Sequence, residues 1–417
     1  MNYIPHTKDD IAKMVSAVGC SSVEELMSQF KPRLEKLNLS NPMNEMELFS
    51  YISNLAEKNI TPEYFVGGGS YDHYIPAVIG YLVSRGEFLT SYTPYQPEVS
   101  QGMLQALYEF QSYICLLTGM DVSNASLYDG ASALAESALL SSSYTKRNGV
   151  FVEEGLNPIY LDVLKTYCEG VELEITNEIN EKTACVISQN PDFFGNIKNP
   201  QGLIEKAHQN NSLFISCISD PTSLAVLKSP GDFGADIVVG EGQSFGIPKS
   251  FGGPYLGFMA VKQFLVKKMP GRIVGITTDE KGNKGFVLTL QAREQYIRRE
   301  RATSNITTNQ TLLALTATIY LSLLGKTGLQ NVAKSSFQRA HVLQEKLKKI
   351  GFESLNTNPF YNEFLVKSPK PTEKMISDLL ENNIFGGLEL GDDKLLICCT
   401  EKNSLQDIDS YVSVLNN

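Results

Sequence analysis

The period of the apolar positions changes along the chain. Up to about residue 60 it is helical: TKDDIAKMVSAVG and MNEMELFSYISNLAEKN place apolar side chains three and four residues apart. Ser21 with Glu24 three residues on resembles a capping box ahead of ELMSQF, with Ser22 also within reach. From 103 to 260 the pattern alternates. The helical stretches MLQALYEFQSYICLLTG, closing at Gly119, and GASALAESALLSSSY precede short β-branched or apolar runs: VFVEE, VELEIT, TACVIS, SLFISC, ADIVVG and YLGFMAV. LDVLKTYCE and QGLIEKAHQN lie between some of these runs. This rhythm predicts a mainly parallel sheet with right-handed crossovers and helices on both faces. Beyond 325 a smaller α/β unit is expected, with a helix over LQNVAKSSFQRAHVLQEKLKKI and strands around FESLNT, FYNEFLVKS, IFGGLEL and KLLICCT. Helices over TEKMISDLLENN and SLQDIDSYVSVLNN complete it. The expected domains are 1–60, a helical arm or cap; 61–324, a large α/β domain; and 325–417, a small α/β domain.

Residues 61–105 follow neither period. Gly67, Gly68 and Gly69 permit unusual backbone angles, and Tyr64, Tyr71, Tyr74, Tyr92 and Tyr95 cluster there with Pro76, Pro94 and Pro97. Long irregular segments of this kind line sites or join subunits, the alternative being a plain surface loop.

Composition narrows the function classes. At 417 residues the chain can bury a large core, and its net charge of −10 gives no electrostatic support to nucleic-acid binding. The N-terminal MNYIPHTKDD carries no secretory pattern, and no continuous apolar run of membrane-spanning length stands out. Cys20, Cys115, Cys168, Cys185, Cys217, Cys398 and Cys399 are odd in number and scattered, which suggests reduced thiols in a cytoplasmic protein. His6, His73, His208 and His341 are far apart, so no metal site is expected.

The chemistry concentrates in SDPTSLAVLKSPGDFGADIVVGEGQSFGIPKSFGGPYLGFMA. Asp220 follows an apolar strand, where an Asp can pair with the pyridine nitrogen of pyridoxal phosphate (PLP) or simply start a turn before Pro221. Gly130, Ala131 and Ser132 open a helix, where backbone N–H groups can meet a phosphate or form an ordinary N-cap. A PLP enzyme needs a Schiff-base lysine after the ADIVVG strand, and that slot holds Gln243, whose amide cannot form an imine. Lys249 lies six residues later and would serve only if the loop were offset. Arg293, Arg298, Arg299 and Arg301 could bind a carboxylate or phosphate, or form a charged helix face with Glu294 and Glu300.

Several blocks converge on one family. GGGSYDHYIP, YTPYQPEVSQG, the GADI strand with GQSFGIPKSFGGP, and REQYIRRERATSNITTNQ resemble the P-protein of the glycine cleavage system, in particular its N-terminal half, which in some bacteria is a separate subunit. The resemblance covers nearly the whole chain. It implies a type I PLP-dependent transferase fold of the aspartate aminotransferase kind. It also implies a complex, a glycine dehydrogenase (aminomethyl-transferring), that binds glycine through PLP, releases CO2 and passes the aminomethyl group to lipoyl H-protein. In the catalytic half the lysine stands in a His-Lys-Thr-Phe context, matched here by Gly242, Gln243, Ser244 and Phe245. The resemblance therefore implies a lysine-free subunit, inactive alone, with PLP held covalently by a second P-protein subunit. Asp220, Gly130, Ala131, Ser132 and Gln243 become vestigial cofactor positions. Tyr71, His73, Tyr92, Tyr95, Gln96, Ser100 and Gln101 become candidates for reaching the partner's site. A stand-alone PLP enzyme using Lys249 and a purely structural subunit stay open.

Overall fold

The computed structural model describes residues 5–28, 30, 39–302 and 304–416. The chain divides into two compact units, one up to Ile60 and one from Thr61 onward.

The first unit contains helices Lys8–Ala17, Val23–Met27 and Glu45–Ala56. Thr7 with Asp10, and Asn44 with Glu47, form capping boxes that satisfy the first helical N–H groups. Ser22, not Ser21, caps the second helix, accepting from Glu25 N–H, while the Glu25 carboxylate accepts from Ser21 N–H. The box sits one residue later than its spacing suggested, because adjacent serines leave the register ambiguous. Part of the ELMSQF stretch and residues 31–38 lie outside the described residues.

The second unit is built on a seven-stranded sheet. Its spatial order is Val122–Ser123, Gly257–Val261, Ile237–Glu241, Leu213–Ile218, Thr183–Gln189, Gly149–Val152, Glu174–Thr176. The last five are mutually parallel, and Gly257–Val261 runs antiparallel to both its neighbours. The predicted runs are these strands. The inner ones read as continuous apolar segments because successive side chains enter cores on opposite faces, whereas the edge strand Glu174–Thr176 is largely exposed. Phe214, Val238 and Ala260 join one core with Leu104, Leu107 and Phe110. Leu213, Ile215, Ile237, Val239 and Met259 join the other, against Ala131, Leu134 and Ala138 of helix Gly130–Thr145. Helix Gln101–Thr118 ends at Gly119 in the left-handed conformation, as the sequence predicts.

A hairpin of Ile273–Thr278 and Lys284–Thr289 follows, then helix Thr311–Lys349, broken at Gly325 (φ 56°, ψ −170°). This helix has the length and hydropathy of a candidate membrane span, but Ala314, Leu315, Ala317, Tyr320 and Leu321 are buried in the protein core. Four antiparallel strands, in the order Glu353–Ser354, Glu363–Lys367, Lys394–Cys398, Leu388–Glu389, form the second sheet. Helices Thr372–Glu381 and Leu405–Asn416 enclose a third core with it. Phe65 is part of that core, and its carbonyl accepts from Cys398 N–H (2.9 Å), so the segment after Thr61 is stitched to the second sheet.

Candidate active site

The carboxyl ends of parallel strands are where α/β folds gather ligand-binding residues. Here Asp220 lies just beyond Leu213–Ile218, and Gln243 just beyond Ile237–Glu241. The Gly130 helix start meets the same end, since Glu241 reaches it.

Gln243 is buried and uses its whole amide. Its Oε1 accepts from Tyr71 N–H (2.8 Å), and its Nε2 donates to the carbonyls of Tyr71 (3.0 Å) and Ile247 (2.7 Å). The side chain thus pairs with the Tyr71 backbone on both edges. A lysine can donate but cannot accept, so it cannot reproduce this pairing.

Asp220 caps the turn Pro221–Ala225. Its Oδ1 accepts from Thr222 N–H (3.1 Å) and Thr222 Oγ1 (2.7 Å). Its Oδ2 accepts from Asn362 Nδ2 (2.8 Å) and meets His73 Nε2 (3.1 Å). His73 Nδ1 lies 2.7 Å from Glu401 Oε2. Burial acts to lower the His73 pKa, but the two carboxylates outweigh it and push it up to about 10. Burial likewise opposes ionisation of Asp220 and Glu401, yet the imidazolium between them holds both below their ordinary values. The cation on Asp220 is therefore a histidine of the same chain.

At the helix start, Gly130 N–H donates to Glu241 Oε2 (2.9 Å) and Ser132 N–H to Asp129 Oδ1 (2.7 Å). Glu241 Oε1 also accepts from Leu256 N–H (2.8 Å) and Gln243 N–H (3.0 Å). Burial raises Glu241 to about 7, partly offset by these backbone donors. A Cβ on Gly130 would lie 2.5 Å from Tyr160 Oη and 3.0 Å from Glu241 Cβ, so only glycine permits this approach.

PLP held here as a Schiff base would need an amine at 243, a free carboxylate edge at 220 and free N–H groups at the helix start. Position 243 holds an internally bonded amide, Asp220 carries four bonds, and carboxylates engage the helix start, where they would also repel phosphate. The cavity beside Asp220, bordered by Tyr71, Asp192, Tyr361 and Glu363, has about 10 Å³, room for about one water rather than a pyridine ring. The residues do not fit the cofactor.

The remaining candidates separate. Tyr71 and His73, expected to reach outward, are turned inward and buried; Tyr71 Oη donates to Glu363 Oε2 (3.1 Å), a carboxyl that burial raises to about 8. Their glycine run does adopt unusual angles, with Gly68 at φ 72° and Gly69 at φ 115°. Tyr92 is 82% exposed, and Tyr95 and Gln96 are also exposed. Ser100 precedes helix Gln101–Thr118 without a side-chain cap bond. Gln101 clasps the hairpin, accepting from Phe286 N–H (2.8 Å) and donating to its carbonyl (2.9 Å). Lys249 pairs with Asp72 (3.3 Å) and lies over the Tyr64 ring; burial lowers its pKa. Arg293 is spent on the carbonyls of Met269, Gly271 and Leu290, while Arg298, Arg299 and Arg301 are exposed. Sequence reasoning passed over Glu241, Asn362, Glu363 and Glu401, because nothing local relates them to Gln243 and Asp220.

The sheet, its helices and the placement of these positions define a type I PLP-dependent transferase fold. The solved structure of a sphingosine-1-phosphate lyase from Burkholderia pseudomallei agrees: TM-score 0.65 over 93% of each chain, at 14% identity, a likeness of fold alone. The model of the glycine cleavage system P-protein family matches residues 1–415, and the chain belongs to that family. A relative from Geobacillus sp. (strain WCH70), a probable glycine dehydrogenase (decarboxylating) subunit 1, is 45% identical over 442 aligned residues, covering 100% of this chain and 98% of the relative. The crystal structure of a glycine decarboxylase (P-protein) of the glycine cleavage system, in inhibitor-bound form, superposes with TM-score 0.89 at 42% identity, covering 100% of this chain and 99% of that one.

Proposed function

We propose that this chain is the lysine-free subunit of a heteromeric glycine decarboxylase. In this reading PLP is carried covalently by a second P-protein subunit. The complex decarboxylates glycine and passes the aminomethyl group to lipoyl H-protein. This chain keeps the fold of a PLP subunit and contributes surface to the partner's site, with Tyr92, Tyr95 and Gln96 as its candidate contacts.

The observation that carries the reading is Gln243. A residue that merely lost its lysine would leave a gap, whereas Gln243 is bonded at both amide ends. Lys249 is a poor substitute, being held by Asp72 and the Tyr64 ring. The test is reconstitution with the partner subunit and lipoyl H-protein. Glycine decarboxylation is expected only with both subunits present. Sustained turnover by this chain alone would overturn the reading. An assembled complex that stays fully active with Tyr95→Phe and Gln96→Ala together would reduce this chain to a structural role.

A further inference from the structure

Arg272 is a buried cation with no ion-pair partner among the described residues. It is 5% exposed and immediately precedes the hairpin strand Ile273–Thr278. Its Nη1 donates to Asn309 Oδ1 (2.7 Å), and its Nη2 to the Thr307 carbonyl (2.8 Å) and Tyr95 Oη (3.2 Å). The guanidinium carbon also lies 5.3 Å from the centroid of the Tyr95 ring. Every one of these acceptors is neutral. Among the described residues no carboxylate pairs with Arg272; Glu294 feels its charge without forming an ion pair. Burying a cation on such terms is costly, so a local stability gain is a weak reason for it.

Its side-chain bonds all reach two irregular stretches with exposed residues: Tyr92–Gln96, and the run Asn305–Asn309 leading into helix Thr311–Lys349. Arg272 is fixed from behind by a closed ring of hydrogen bonds. Ala125 N–H donates to the Arg272 carbonyl (2.8 Å), and Asn309 Nδ2 donates to the Ala125 carbonyl (3.1 Å). The Arg272 bond to Asn309 closes the ring. On its other side the Tyr95 ring meets Tyr296 edge-on, with centroids 6.3 Å apart. Because Tyr95 Oη accepts from a cation, its own proton points away from Arg272 and is a stronger donor for it.

We infer that Arg272 is a positioning residue for glycine decarboxylation, orienting Tyr95 and the Thr307–Asn309 backbone as one preformed surface for the partner's site. This rests on the proposed function above. A planar fork that bonds two segments while stacking on a ring is a property of arginine that lysine only partly shares. The oriented donor lowers the ordering cost of the reactive geometry.

The test uses the assembled complex with Arg272→Met, Arg272→Lys, Tyr95→Phe and the double variant Arg272→Met with Tyr95→Phe. Assembly is checked by size-exclusion chromatography, and kcat and KM for glycine are measured separately. Arg272→Met is expected to lower kcat/KM about 10- to 100-fold in an assembled complex, the scale of a small misplacement. Arg272→Lys should recover part of that loss. The double variant should be no worse than Arg272→Met, because the arginine acts through the tyrosine. Should Arg272→Met fail to assemble, Arg272→Lys carries the same comparison. An assembled Arg272→Met complex (or Arg272→Lys, where Arg272→Met fails to assemble) with kcat and KM within about twofold of wild type overturns the inference, as do effects that simply multiply in the double variant. Loss with Tyr95→Phe beside normal kinetics in the Arg272 variants overturns the positioning role alone. Normal kinetics in all of them removes the Tyr95 surface from the reaction as well.

Discussion

Gln243 and Tyr71 are 172 residues apart in sequence and joined on both edges of one side-chain amide. Gln243→Lys removes the acceptor for Tyr71 N–H and puts an ammonium among buried carbonyls. The expected loss is about 2–4 kcal/mol, from one orphaned donor and the cost of the charge, read as a lower urea midpoint with an unchanged m-value. Unchanged stability would show that the amide pairing carries no weight. His73 gives a second prediction. Its ordinary value of 6.5 rises to about 10 in the fold, so its contribution is complete below about 6.5 and fades as pH rises through about 10. Asp220 and Glu401 are held low, so their share is present above their ordinary values and is lost as pH falls through the lowered ones. His73→Gln should therefore cost about 3 kcal/mol near neutral pH, the scale of breaking a buried pair. That gap should narrow toward about pH 10, as followed by urea titration at several pH values. An equal gap near neutral pH and above about 10 would rule out the charged triad. At this scale the sequence was half legible. Asp220 and Gln243 could be read because each follows a recognisable strand at a fixed spacing. Their partners could not, since His73 and Glu401 are separated by 328 residues and only the fold joins them.

Elements were more legible than contacts. Strands of the large sheet buried on both faces announce themselves as unbroken apolar runs, and the six that the alternation predicts are present. The seventh, Val122–Ser123, has two residues, too few for any period. The hairpin Ile273–Thr278 with Lys284–Thr289 went unread, although DEKGN between two β-branched runs is a turn signal. The helical pattern after Thr311 resumes beyond Gly325, whose non-helical angles split the span into two helices joined at a kink. The start of helix Gly130–Thr145 offers a test at this scale. Gly130→Ala forces Cβ against Tyr160 Oη and Glu241, and overpacking of this kind costs about 1–3 kcal/mol. Thermal unfolding should show a lower Tm. A neutral result would mean that the helix start can withdraw from Glu241 at no cost.

For the whole molecule, three internal groups stand where a cofactor's three anchors would be: Gln243 at the imine position, His73 on Asp220, and Glu241 at the helix start. Restoring one anchor leaves the other two closed. Gln243→Lys alone should therefore gain no stoichiometric PLP absorbance, and a variant that does would show that the pocket opens readily. Overall likeness to PLP enzymes cannot separate a catalytic subunit from a supporting one, because the sheet and its helices serve both. The distinction rests on these few side chains. The most direct measurement is borohydride trapping of PLP in the two-subunit complex and in this chain alone, with adducts located by peptide mass spectrometry. One stoichiometric adduct on a lysine of the partner subunit, and none on this chain, is the predicted result. A stoichiometric adduct on Lys249, or on any other lysine of this chain, would contradict the account and make the chain a cofactor-bearing enzyme in its own right.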